Sequence, residues 1–292
     1  MIGTGFFASV PVHVALTVGG IVAVVSGVVG VFTVIRGQSF AGHALSDIGT
    51  AGGSAAVLAG VPTLYGYLAL NVAAAGVMEL IGIRRPRGRD LATGIVLGTA
   101  LGLAALFLYW DTTLSSASGA TVDVLFGSIF TISTATVPVV VALGVLALAV
   151  IAALYRPLLL SSVSYEMAAA RGVPVRLIGA GYLLALSVAV SLSAITIGAI
   201  LSTALLIGPA AAALRLVSRT GPAIALAAVL GVVTTWAGIL LAYDSAAWSA
   251  DQRGWPVSFC IVTVIIACYL VTSLSTRRRR TRQRRAAHGE DR

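Results

Sequence analysis

Long apolar runs divided by short polar breaks set the pattern of this chain. They fall at about 12–35, 40–60, 64–83, 91–110, 136–155, 223–242 and 257–274, with a double run between Arg176 and Leu214. Each is roughly 20 residues, the length a helix needs to cross a hydrocarbon layer of about 30 Å. No water reaches that layer to satisfy an open backbone, so each run is expected to be helical. The double run is expected to turn within Ser193–Gly198, which makes about nine spans. Leu125–Ser133 is apolar but too short to span and reads as a re-entrant or interfacial piece. The fold class is therefore an all-α polytopic transmembrane bundle. The first run has no charged segment before it and no convincing cleavage site, so it reads as a span and not as a removed signal peptide.

The polar breaks are unequal. Arg36, the RRPRGRD loop at Arg84–Asp90, Arg156, Arg171, Arg176, Arg215 and Arg219 all fall on the side of the arginine-rich C-terminus when nine spans are counted. Only Arg253 falls opposite, together with Asp111, Asp123, Asp244 and Asp251, which read as solvated loop charges. Positive loops face the cytoplasm, which puts the C-terminus inside and the N-terminus outside. Residues 1–275 form the membrane domain. Residues 276–292 read as a disordered basic cytoplasmic tail that binds anionic lipid and not nucleic acid. Trp248 and Trp255 suit an interfacial loop.

Composition agrees: 58% of the residues are hydrophobic and 10% charged, which no ordinary soluble domain shows. The net charge of +9 comes wholly from arginine, since the chain has no lysine. A Walker phosphate loop needs its lysine, so any ATP hydrolysis must come from another subunit. Cys260 and Cys268 lie eight residues apart in the last run, about 12 Å along a helix, too far for a disulfide.

One stretch breaks the apolar rule. GQSFAGHALSDIGTAGG, Gly37–Gly53, places His43 and Asp47 four residues apart inside the second run. On a helix they share one face. Ionisable groups in a span face a polar path or a partner, and an imidazole with a carboxylate is metal-ligand chemistry. The pair is also what a hydrogen-bonded pin between two helices would use. Asn71 in the third run could add an amide oxygen or serve as interhelical glue. Glu79 could pair with Arg84 or Arg85, or act as an exit ligand. The small-residue series Gly94, Gly98, Gly102 and the pair Gly49, Gly53 allow close helix approach, within one chain or across a homodimer seam.

The same stretch resembles the zinc/manganese permeases of ABC importers, whose second span opens with a motif like F-x-G-D-A-x-S/A-H. Phe40, Gly42, Ala44 and Ser46 fit it. His43 stands where the family usually has Asp, and Asp47 where it usually has His, so the i, i+4 ligand pair survives an exchange. SYEMAAARGVPVR resembles the family's D-x-E-x-A-x-x-x-G-V through Glu166, Ala168, Gly172 and Val173, with Ser164 in place of Asp. Ser164 is a good N-cap and Gly172 a good helix stop. The resemblance makes 164–172 a cytoplasmic coupling helix that docks on an ATPase. IGAILSTALLIGPAAAALRL, Ile197–Leu216, matches the family pattern at Gly198, Leu201, Ala204–Ile207, Pro209–Ala211, Ala213, Arg215 and Leu216. Pro209 frees a carbonyl and bends a span, which suits a moving helix that starts at Gly198. LFGSIF at Leu125–Phe130 matches a further family segment.

The resemblance implies a type II ABC-importer fold and a permease subunit, not an enzyme. It sits in the inner (plasma) membrane of a bacterium and carries zinc or manganese inward as substrate, with no resident cofactor. Two copies would form the pore, over two ATP-binding subunits and under an extracytoplasmic metal-binding protein. His43 and Asp47, with Asn71 as a third ligand, would take the metal. Imidazole places zinc slightly first. The competing reading is a proton- or sodium-coupled carrier that uses His43 and Asp47 as a relay.

Overall fold

The apolar runs do fold as helices. The structure, a computed structural model, describes residues 9–82, 86–114, 118–127, 129–245, 248 and 254–289. In chain order the helices are α1 (Val10–Ile35), α2 (Ser39–Leu58), α3 (Thr63–Gly82), α4 (Pro86–Leu114), α5 (Ser118–Phe126), α6 (Val137–Val163), α7 (Tyr165–Ala170), α8 (Val175–Ile197), α9 (Ala199–Leu216), α10 (Thr220–Ser245) and α11 (Val257–Gly289). Two short 3₁₀ turns, Ile129–Thr131 and Thr134–Thr136, lie between α5 and α6. No strand occurs among the described residues.

Eight of these helices are long and apolar enough to cross a membrane. The ninth expected span, α2, has the length, at 20 residues, but is too polar to qualify by composition. It is tolerated because protein surrounds most of it. α3, α4, α8 and α9 all pack on it, and Ala44, Leu45, Ser46, Ile48, Ala51 and Ser54 are buried. Lipid meets little of its polar surface, which is how such a helix survives at membrane depth.

Small residues set the spacing. A Cβ on Gly52 of α2 would overlap the Gly66 carbonyl of α3, and one on Gly66 would overlap the Gly52 carbonyl. A Cβ on Gly27 of α1 would lie 2.8 Å from the Ala227 carbonyl oxygen of α10. Buried hydroxyls add polar ties: Ser26 to Ser193 at 2.8 Å joins α1 to α8, and Tyr182 donates to Thr33 at 2.8 Å between the same helices.

The two ends of the bundle differ. At one end Arg36 donates to Ser161 at 3.0 Å and lies over the Tyr182 ring, and Arg215 donates to Ser273 at 2.7 Å. Val34, Ile35, Leu214 and Ile224 cluster there. This basic end also carries α7. At the other end α5 meets the junction of α8 and α9.

Several boundaries move. α4 runs past Trp110 to Leu114, so Asp111 is a buried helical residue and not the solvated loop charge expected of it. Within the extension Thr112 and Thr113 donate back to the Leu108 and Tyr109 carbonyls. Asp123 is exposed, as a loop charge would be, and Asp251 lies outside the described residues. α6 continues through Pro157 to Val163. α11 continues as helix to Gly289, where a disordered tail was expected. Arginine is a good helix former and the span below supplies the nucleus.

Gly27→Val should separate α1 from α10 and cost about 1–3 kcal/mol. Gly76→Ala, where a Cβ meets nothing within 4 Å, should gain about 0.5–1 kcal/mol. Thermal unfolding of the purified chain checks the opposite signs.

Candidate functional site

α2 begins beside the basic end, where Arg36 donates to Gln38, and rises one turn to His43. His43 Nε2 and Asp47 Oδ2 are 3.5 Å apart. His43 Nδ1 lies 3.3 Å from the Thr203 hydroxyl of α9. If Nδ1–H donates to Thr203, Nε2 keeps a lone pair that points toward the Asp47 carboxylate. An outer partner that orients a ring in this way is what metal-binding histidines use. Two ligand atoms around a tetrahedral centre with bonds of about 2.1 Å stand about 3.4 Å apart. The observed gap therefore suits a shared divalent ion better than a direct hydrogen bond.

Exposure sets the pair apart from its neighbours on α2. The side chain of His43 is 51% exposed and that of Asp47 21%, although their neighbours on α2 are buried. The site opens on the flank of the chain. Ser46, one position before Asp47, faces inward instead and bonds to Ser202 and the Ala199 carbonyl. α2 is thus fastened to the start of α9 on one side and offers its ionisable pair on the next.

Asn71 is not part of this group. It is fully buried, its Nδ2 donates to Ser191 at 3.0 Å, and its backbone carbonyl accepts from Ser187 at 3.1 Å. Its amide packs over Gly49. Gly49 is two residues beyond Asp47, about 200° around the helix. The amide is interhelical glue between α3 and α8. Thr203, by contrast, is a contributor the sequence reading passed over. It lies in the Ile197–Leu216 segment, at a position for which the family pattern specifies no residue. No group of three or more His, Cys, Asp or Glu gathers among the described residues. One chain offers a metal two strong donors, fewer than a tight site needs.

The segment at 164–172 forms as expected. The Ser164 hydroxyl accepts from the Met167 N–H at 3.2 Å, Glu166 is exposed in the first turn, and Ala168 is buried. Gly172 takes φ 74°, and its N–H bonds Ala169 O while Val173 N–H bonds Ala168 O. That double closure is a Schellman stop. Val163, Met167 and Leu177 are 79%, 50% and 71% exposed around α7.

Gly198 alone joins α8 to α9, with φ 83°. A Cβ there would overlap the Leu125 carbonyl and the Phe126 backbone. Pro209 is buried within α9, which continues through it. Glu79 lies beside Gly179 of α8, and Arg84 and Arg85 are outside the described residues. Gly49 and Gly53 pack inside the chain on Asn71 and Tyr67. Gly94, Gly98 and Gly102 face open space, so that series is not an internal seam.

Fold and site together define a polytopic membrane protein with a half-open His–Asp pair on the polar helix α2. The chain belongs to the ABC 3 transport family, whose model matches residues 11–276. It is similar to the manganese transport system membrane protein MntC of Halalkalibacterium halodurans, with 32% identity over 80% of this chain and 79% of that one. It is 26% identical to the manganese import system permease protein ScaB of Streptococcus parasanguinis, over 76% and 78% of the two chains. Its fold matches a chain of the structure of PsaBC from Streptococcus pneumoniae in complex with Fab, with TM-score 0.78, 23% identity and 92% of each chain covered.

Gly198→Ala should strain a left-handed position and force α5 away, costing about 1–3 kcal/mol from the backbone alone. A lowered melting temperature, against a slight rise for Gly102→Ala in the open interior of α4, checks this.

Proposed function

We propose that this chain is the membrane permease subunit of an ATP-driven importer for a divalent transition metal, with manganese the first cargo. The observation that carries the reading is the His43–Asp47 pair, set at a metal-sharing distance on the exposed flank of an otherwise wrapped helix. The names of MntC and ScaB favour manganese over the zinc that imidazole alone would place first.

The half-exposed flank calls for cover. A second copy facing it would enclose the path and supply the donors one chain lacks. The open Gly94–Gly98–Gly102 face is a further surface on which two copies could meet closely. An ATP-binding subunit would seat on α7 and its rim of Val163, Met167 and Leu177, a patch of exposed apolar residues beyond the spans. The arginines at that end favour a cytoplasmic position for it and for the C-terminus, in a bacterium. They also suit contact with anionic lipid. An extracytoplasmic binding protein would deliver the metal at the opposite end. A stroke on α7 passes to α8 through Gly172–Pro174, and from α8 to α9 through Gly198 and the packing between the two helices. α9 holds His43 through Thr203. No permanent cofactor is needed in this scheme.

Total cellular manganese, zinc and iron, measured under metal limitation in a strain lacking this protein, tests the reading. Manganese should fall, wild type should restore it, and His43→Ala or Asp47→Asn should not. Unchanged metal in every strain would point to the proton-coupled carrier instead.

In the assembled transporter, Gly172→Val should leave ATP hydrolysis measurable while uptake falls at least tenfold, because the Schellman stop would be lost. Equal uptake in both proteins would remove α7 from the coupling route.

A further inference from the structure

A cavity of about 230 Å³ lies at the end of the bundle away from the arginines, between the start of α3, α5, the two 3₁₀ turns and the end of α8. Asp123 and Ser133 on its rim are exposed and Leu64 is buried, so it runs inward from the surface. The space is far more than one water or a bare ion needs. Its lining is of two kinds. Leu64, Ile132 and Ile195 are apolar, while Asp123, Ser133 and Thr136 bring oxygen atoms. No basic side chain is among the residues that line it. The α5 wall is held in place, since the Tyr67 hydroxyl donates to the Val124 carbonyl at 2.8 Å and the Gly127 N–H to the Asp123 carbonyl at 2.8 Å.

The mixed lining decides what fits. A hard divalent ion wants oxygen on every side, and the apolar walls offer none. A long basic side chain wants both kinds of wall, because its methylene stem packs on apolar surface while its charged head seeks acceptors. Arginine fits best, since its planar fork of N–H donors pairs with a carboxylate through two bonds and has donors left for hydroxyls. We propose that this cavity is the socket for an arginine side chain of the extracytoplasmic binding protein that delivers the metal. This rests on the reading of the chain as a metal importer. The socket also lies on a route to the gate. Ile195 precedes Gly198 by three residues, and Asp123 is bonded to Gly127, whose Cβ would overlap Gly198 N. A seated side chain would touch both segments that meet at Gly198, and α9 beyond it carries Thr203 beside His43. An ion pair at an exposed carboxylate is weak, which suits a carrier that docks, unloads and leaves.

The test has two arms. In the first, the full chain in phosphatidylcholine nanodiscs is titrated with Nα-acetyl-arginine amide at low salt, and binding is read by saturation-transfer NMR. Wild type should bind the probe, Asp123→Asn should bind it several-fold more weakly, and the neutral citrulline analogue should bind wild type no better than Asp123→Asn binds the probe. Equal binding of the arginine probe by both proteins would overturn the socket. So would tighter binding by Arg253→Gln, because the chain's own arginine would then be the occupant. Should Asp123→Asn fail to fold, Ser133→Trp decides: a blocked cavity should lose the probe, and unchanged binding overturns the proposal. The second arm is manganese uptake in cells. Asp123→Arg should lower uptake several-fold and Asp123→Glu should keep most of it, while manganese binding by the purified Asp123→Arg chain stays as in wild type. Equal uptake in Asp123→Arg and wild type would overturn the docking role, and lost manganese binding by the purified variant would make the cavity an ion site instead. Absence of manganese uptake in wild type would remove the importer reading, and with it the partner, while the arginine-probe arm still reports on the cavity.

Discussion

Backbone contact between Gly52 of α2 and Gly66 of α3 is the constraint on which the site depends. α2 carries an imidazole, a carboxylate and a series of hydroxyls at a depth where lipid offers them nothing. It can stay there only if neighbouring helices come close enough to replace water. A methyl group at either glycine would push α3 outward. Asn71 would then leave Gly49, and Ser187 and Ser191 would lose the partners that hold α8 against the same pair of helices. Close packing on one side frees the other side to hold ionisable groups in a partly open position.

α9 completes the arrangement by binding α2 through polar atoms instead of small ones. Ser46 reaches Ser202 and the Ala199 carbonyl at the first turn of α9, and His43 reaches Thr203 one position later. These contacts lie within about a turn and a half of Gly198, the single residue between α8 and α9. Gly127 locks that junction from α5: a Cβ on it would overlap Gly198 N. His43 is thus held near a backbone break, so a change of direction at the break reaches its ring. Rigid spans carry such changes well because packed interiors resist compression.

Nine helical segments were legible because apolar length alone defines a span, and α2 was legible through its family motif even though its composition fails that test. Caps were legible for the same local reason: Ser164 and Gly172 act within one turn of themselves. Rotation was not legible. Whether Asn71 faces Asp47 or Gly49 depends on how α3 turns against α2, and hydrophobic periodicity is faint in helices that are apolar all round. Asp111 was misplaced for a different reason. The apolar run ends at Trp110, but the helix continues through polar residues to Leu114. Thr203 carried no signal of its own, since its role exists only where α9 crosses α2.

Two protein donors are few for a metal site, and that scarcity fits transport better than storage. At a site of given nitrogen and oxygen ligands, affinity rises from manganese toward zinc. A tight His–Asp cage would therefore retain the wrong ion and release either slowly. On the proposed reading, a half-open pair with Thr203 beside the ring would give up affinity for speed of exchange. On that reading, selection between metals would then come from what the ion meets before and around this pair, including the donors that a facing second copy would add. Exchanging the order of Asp and His on one helix face changes which atom an arriving ion meets first. It leaves the face, the spacing and the chemistry of the pair as they were.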